Sequence, residues 1–233
     1  YKTLGKALVM DELIERHGAI IDQYDPEKKI GLSVDEWGTW FTCEPGTNPG
    51  FLYQQNTVRD ALVAGITLNI FNKHCDRVRM ACLAQMVNVL QSVILTEGEK
   101  MIKTPTYHVF HMYRHHQGAR LLDSTLNGVQ SVGTEEWSVP EITESVSKKD
   151  GIITITLNNL SATDDKELDI QLTEKNDYTI VEANVVTSDD MHAHNTFDAP
   201  ETVKEVEFTA YKANGNTVTV KLPKCSVVEL RIK

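Results

Sequence analysis

Ile30-Gly31-Leu32-Ser33-Val34-Asp35-Glu36-Trp37-Gly38-Thr39-Trp40-Phe41 is the stretch that decides how this chain folds. Ile30 to Val34 is a short apolar run, suited to a strand buried on both faces. It stops abruptly at two acids. A carboxylate directly after a buried strand is costly unless it has a partner or a task. Two acids followed by Trp37 and Trp40 have the composition of a sugar site. Aromatic faces stack on the apolar face of a sugar ring, while carboxylates accept hydroxyl hydrogens or attack the anomeric carbon. Successive strand residues point to opposite sides, so Asp35 and Glu36 are expected on opposite faces, one catalytic and the other supporting. The plainer reading stands beside this one. An acid at a strand end also serves as a helix cap or an ion-pair partner, and Trp37 and Trp40 also serve as packing residues.

Outward from this stretch, helix and strand alternate. Leu8, Met10, Leu13, Ile14, Ile20 and Ile21 give a helical apolar stripe up to about Tyr24, broken by Asp25-Pro26-Glu27-Lys28-Lys29. Glu44-Pro45-Gly46-Thr47-Asn48-Pro49-Gly50 supplies loop chemistry after the acids. Asn56 to Phe71 reads as a helix, with Val58, Leu62, Ile66 and Ile70 on one face. Val78 to Leu83 reads as a second strand, Thr96-Glu97-Gly98-Glu99 as a loop, and Thr106 to Leu122 as a helix behind Pro105. This order describes two βα units of a parallel sheet. Two units alone leave exposed strand edges. The economical reading is the last two units of a (β/α)8 TIM barrel whose other six strands lie upstream, with a doubly wound sheet as the alternative. In such barrels catalytic residues sit where strands end. At the second strand end, Gln85 and Asn88 carry amides able to donate to and accept from sugar hydroxyls.

Near Ser124 to Gly133 the character changes. Gly151 to Leu157 alternates apolar residues with Thr, as a half-buried strand should. Leu168 to Leu172, Thr179 to Val185, Val203 to Phe208, Thr217 to Leu222 and Val227 to Ile232 alternate too. Short strands at this spacing predict an antiparallel, jelly-roll-like β-sandwich. The fold class is therefore α/β plus all-β, with a barrel portion over residues 1–125 and a sandwich over 126–233. Trp137 is placed to pin the two together.

A formal net charge of -10 speaks against nucleic acid or an anionic membrane surface as partner. A neutral sugar suits such a protein. No apolar run approaches the roughly 18 residues of a membrane span. Cys43, Cys75, Cys82 and Cys225 lack metal-site spacing and read as free thiols. The chain opens on Tyr1-Lys2-Thr3, without an initiator Met or signal peptide, and runs at once into a helical pattern. It is expected to continue upstream, where any targeting segment would lie, so localisation is not legible.

At the acids the sequence becomes recognisable. Leu32-Ser33-Val34-Asp35-Glu36-Trp37-Gly38-Thr39-Trp40 resembles the nucleophile motif of α-L-arabinofuranosidases of glycoside hydrolase family 51. Asp60-Ala61-Leu62-Val63-Ala64-Gly65 is similar to the helix that follows it there. Asp76-Arg77-Val78 through Val89 resembles the eighth strand and its loop, and His192-Ala193-His194-Asn195-Thr196-Phe197 a motif of the C-terminal β-domain. The resemblance covers nearly the whole chain. It implies a retaining, exo-acting removal of terminal α-L-arabinofuranosyl groups from arabinose-containing oligo- and polysaccharides, in a homo-oligomeric full-length protein without cofactor or metal. Glu36 would be the nucleophile at the end of strand seven, Trp40 would shape the leaving-group side, and Gln85 would hydrogen-bond the arabinose. From the strand-end reading, Trp37 and Asn88 are expected to join them in binding substrate, with Asp35 supporting. Gly38 stands where many members carry Asn, so the loop is expected to differ. The acid/base Glu of the family follows strand four and lies outside this chain. Retaining hydrolysis needs two carboxyls about 5–5.5 Å apart, so the chain alone is expected to be inactive.

Other residues invite other readings. His111 and His115 have the i, i+4 spacing of a metal pair but lack the Glu of a metalloprotease motif. They and His108 and His116 are expected to pack on an outer helix. His192 and His194 stand near Asp189 and Asp190 without an apparent third ligand. Two functional alternatives remain: a non-catalytic carbohydrate-binding sandwich, for which the aromatics beyond Trp137 are few (Tyr178, Phe197, Phe208 and Tyr211), and a related glycosidase acting on another furanoside or a xyloside.

Overall fold

The structure, a computed structural model, describes residues 1–173 and 177–233. Its first half opens with α1 (Lys2–Asp22), β1 (Leu32–Trp37), α2 (Val58–Lys73) and β2 (Val78–Leu83). β1 and β2 pair in parallel. Thr57 and Asp60 form a capping box that starts α2. Leu62 and Ile66 of α2 join Trp37, Val109 and Met112 in one apolar cluster, against which Val34, Ala81 and Leu83 pack.

Two expectations for β1 need correction. It runs on through Asp35-Glu36-Trp37 rather than ending at Val34, and Ser33, Asp35 and Glu36 are exposed. Helices cover only the face that carries Val34 and Trp37. Nor does strict alternation hold. Val34 pairs with Ala81 and Trp37 with Leu83, so β1 spends one more residue than β2 over this step. An extra residue of this kind re-aims side chains, and Asp35 and Glu36 are both left exposed rather than divided between a covered and an open face.

The expected loop at 96–99 is the tip of a hairpin, β3 (Ile94–Glu97) and β4 (Lys100–Lys103). The helix expected to reach Leu122 is shorter. α3 spans Pro105–Tyr113, a single 3-10 turn follows, and β5 (Arg120–Leu121) has already joined the sheet of the second half. The reason is tertiary: His116 directs its two ring nitrogens at Ser147 Oγ (2.7 Å) and Thr156 Oγ1 (3.1 Å), which turns the chain toward that sheet.

The second half runs β6 (Ser131–Gly133), β7 (Ser138–Pro140), β8 (Ile142–Lys149), β9 (Ile152–Asn159), β10 (Lys166–Gln171), β11 (Ile180–Thr187), β12 (Val206–Glu207), β13 (Tyr211–Asn214), β14 (Thr217–Leu222) and β15 (Ser226–Ile232). The larger sheet has the order β12-β11-β15-β9-β8-β5 and the smaller one β10-β14-β13, every pairing antiparallel. The strand expected at Val203–Phe208 shrinks to β12. Ile153, Ile155, Leu157, Leu230 and Ile232 fill the space between the sheets with Val218, Val220 and Leu222.

The Thr-rich face of β9, expected to meet solvent, is buried as well: Thr154, Thr156 and Asn158 lie under the helices. A polar layer takes up Thr156 and Asn158. Asn69 Oδ1 of α2 accepts from Ser145 Oγ (2.8 Å), Thr156 Oγ1 (2.8 Å) and the Tyr113 hydroxyl (2.9 Å). Gly65 permits the close approach, since a Cβ there would stand 2.5 Å from Asn158 Oδ1. A second link joins the halves: the first N–H groups of α2, from Val58 and Arg59, donate to the carbonyls of Ala193 (3.0 Å) and Met191 (3.1 Å). The ring of Trp137 meets α1 at Gly5 and Lys2. Among the described residues no helix is long and apolar enough to cross a membrane.

Candidate active site

β1 and β2 deliver two chain segments side by side. Ala84 N donates to Trp37 O (2.9 Å), so Glu36 and Gln85 emerge at neighbouring strand ends, both exposed. Trp40, 66% exposed, follows three residues beyond the strand. Glu36, Trp37 and Trp40 line a cleft of about 590 Å³ whose opposite wall is α1, with Lys2, Lys6 and Met10. The Asp35 carboxylate accepts from Ser33 Oγ at 2.7 Å.

The structure assigns the other two expected residues differently. Trp37 is a core residue, stacked 5.9 Å from Phe110 and edge-on to Phe71 at 5.6 Å, so its ring face is not available to a sugar. Asn88 spends both ends of its amide on Thr96: Nδ2 donates to Oγ1 (2.8 Å) and Oδ1 accepts from N (2.7 Å). It fastens the β3–β4 hairpin instead of facing the strand ends.

A buried clamp beneath the site leaves little trace in the sequence. Thr39 N donates to Gln91 Oε1 (3.0 Å), Thr39 Oγ1 donates to Asp60 Oδ1 (2.7 Å), and Gln54 Nε2 donates to Thr39 O (3.2 Å). Gln54 also accepts from Phe41 N (2.8 Å). Gln54, Asp60 and Gln91 are all buried. The capping box around Asp60 is a local pattern that a sequence shows. The glutamines act across long separations and leave no local signal. In the same loop, burial and the charges of Glu44 and Glu97 push the Tyr53 phenol up, which keeps it a proton donor.

The histidines stay outside this arrangement. Burial holds His108, His115 and His116 down at about 4. His111 Nδ1 lies 2.6 Å from Glu205 and His115 Nδ1 2.6 Å from Glu229, so the suspected metal pair is divided between two acids. His192 stays exposed beside Asp190. Among the described residues one trio could hold a metal: Asp11, Glu15 and His74, on the outer side of α1 and α2, with ligand atoms within 4.8 Å of one another.

Comparison with known proteins identifies the chain. The family described as the α-L-arabinofuranosidase C-terminal domain matches residues 35–226. An intracellular exo-α-L-arabinofuranosidase of Bacteroides ovatus is 43% identical over 234 residues, covering 100% of this chain and 45% of that protein. The crystal structure of the family 51 arabinofuranosidase from Xanthomonas axonopodis pv. citri superposes with a TM-score of 0.95 at 46% identity, over 99% of this chain and 46% of that one. A family 51 α-L-arabinofuranosidase from Bifidobacterium longum gives a TM-score of 0.83 at 27% identity, over 99% and 48%. The chain thus spans about half the length of the curated relatives it matches. It belongs to the α-L-arabinofuranosidases of glycoside hydrolase family 51, as the C-terminal part of that family's sequence.

Proposed function

We propose that this chain is the nucleophile-bearing half of a retaining, exo-acting α-L-arabinofuranosidase. Residues 1–125 supply the last two βα units of a (β/α)8 barrel, and residues 126–233 supply the supporting sandwich. The observation that carries this reading is the exposed Glu36 carboxylate at the C-terminal end of β1, next to Gln85 at the end of β2 and below Trp40. A Glu36 oxygen attacks the anomeric carbon of a terminal arabinofuranosyl group. The bond to the leaving oxygen breaks as an acid from outside this chain protonates that oxygen. Water then releases the sugar from Glu36 with its configuration retained. Gln85 hydrogen-bonds the arabinose and Trp40 borders the leaving group. Asp35, tied to Ser33, supports the strand end.

The surroundings favour barrel closure. Among the described residues the parallel pair has an unpaired edge on each side. An apolar groove lined by Leu83, Met86, Ile94 and Phe110 lies by the end of β2. Edges of this kind call for further strands. The sandwich offers little as a sugar platform, since Tyr178 and Phe208 are buried in its core.

The test uses a full-length enzyme in which this chain follows the N-terminal half that its relatives carry. Glu36→Ala is expected to lower kcat on an aryl α-L-arabinofuranoside by about 10³-fold or more. Azide is expected to restore turnover with inverted product. Undiminished hydrolysis by the Glu36 variant refutes the assignment.

A further inference from the structure

We infer that Gln91 is a positioning residue for this active site, setting the nucleophile segment and the arabinose-binding segment in register without touching the sugar. The inference rests on the assignment of Glu36 above.

Gln91 is 0% exposed and uses both ends of its amide. Its Oε1 accepts from Thr39 N (3.0 Å), three residues past Glu36 and one before Trp40. Its Nε2 donates to Asp60 O (2.8 Å) and to Thr106 Oγ1 (3.3 Å), on the first turns of α2 and α3. Its backbone N donates to Ala84 O (3.1 Å), directly before Gln85. One buried residue therefore ties the chain after β1, the chain after β2 and the starts of both following helices. Gly38 makes room for this: it has φ +129°, and a Cβ would stand 3.3 Å from Gln91 Oε1. Thr39 is the receiving end. Its N–H, carbonyl and hydroxyl are all engaged, by Gln91, Gln54 and Asp60.

A carboxylate that must meet an anomeric carbon in line tolerates little displacement, and an error of about 1 Å can cost ~100-fold in rate. A buried amide with every hydrogen bond satisfied is the kind of support that prevents such drift. Leucine at position 91 keeps the volume but loses the acceptor for Thr39 N and the donors to Asp60 and Thr106.

The experiment compares Gln91→Leu, Thr39→Val and the conservative Thr39→Ser in the full-length enzyme. Competent sites are counted with a mechanism-based arabinofuranosyl inactivator that labels the nucleophile. We expect Gln91→Leu to lower kcat per labelled site about 10- to 100-fold, with KM changed far less and the acid limb of the kcat/KM profile displaced. Thr39→Val should fall in the same direction, and Thr39→Ser should recover most of the rate. A purely structural role gives a different result: fewer labelled sites, each with wild-type kcat and an unmoved pH profile. That outcome in both Gln91→Leu and Thr39→Val overturns the inference. If labelling and turnover survive Glu36→Ala, the reading beneath it fails instead, so the two failures are distinguishable.

Discussion

At the scale of the residue, Glu229 shows how burial can set a charge state against nearby cations. It is fully buried on β15, its carboxyl is pushed up to about 8 by burial, and it lies 2.6 Å from His115, which burial holds at about 4. The pair is neutral at pH 6, with the acid proton donated to the imidazole. Unfolded imidazoles take up protons near 6.5, whereas folded His108, His115 and His116 wait until about 4. Between those values the unfolded chain holds more protons, so stability falls as pH drops. Glu229 acts in the opposite sense: it ionises near 4.5 when unfolded and near 8 when folded, so stability falls as pH rises through that window. Below 6.5 three imidazoles outweigh one carboxyl; above it Glu229 acts without them. Maximal stability is expected near pH 6.5. The alkaline decline should be at most about 1.4 kcal/mol per pH unit, and Glu229→Gln should flatten it. Urea midpoints at pH 5, 6.5 and 8 measure this, and wild-type midpoints that climb steadily to pH 8 contradict it.

At the scale of the element, a close fit lies between α2 and the larger sheet. Gly65→Ala forces a methyl into the space of Asn158, whose Nδ2 is bonded to Thr143 Oγ1 at 2.9 Å and cannot yield freely. A loss of about 1–3 kcal/mol is expected from such overpacking, read from denaturant midpoints; a neutral result would mean that the layer adjusts. This layer also explains what the sequence concealed. The Ile-Thr alternation of β9 announced a strand correctly, because period two is a local property. It could not show that helices, not water, cover the threonines. β8 is hidden in the sequence for the same reason: Glu144, Ser145 and Ser147 look like a solvent-facing segment but are buried and bonded. α1, α2, β1 and β2 were legible from periodicity and turn residues. The end of α3 was not, because it is decided by the pull of His116 on two strands. At the proposed site, the strand-end position of Glu36 and the nearby Trp40 was legible, because acids and aromatics there are conspicuous. The extra residue that leaves Asp35 and Glu36 both exposed depends on pairing with β2, and the bonds of Gln54 and Gln91 depend on folding.

At the scale of the whole molecule, the described residues contain a two-sheet sandwich and a two-stranded parallel sheet whose outer edges are unpaired. The proposed nucleophile is half of what retaining hydrolysis requires, and Asp35 beside it is tied to Ser33. The 233-residue chain by itself is therefore expected to leave an aryl α-L-arabinofuranoside intact. Added separately, the N-terminal half of a close relative should dock on the two open edges and restore measurable hydrolysis. Turnover by the chain alone, lost on Glu36→Ala, would show that the second carboxyl is already present. The loop that offers the Ala193 and Met191 carbonyls to the first turn of α2 has a consequence for engineering. That turn begins the helix whose Asp60 grips Thr39, so the two halves are not interchangeable parts. A chimera that grafts a foreign sandwich after residue 125 would need to bring along a matching 188–195 loop. Without it, the graft would blunt catalysis from a distance, through a frayed helix start, while every side chain at the strand ends remained in place.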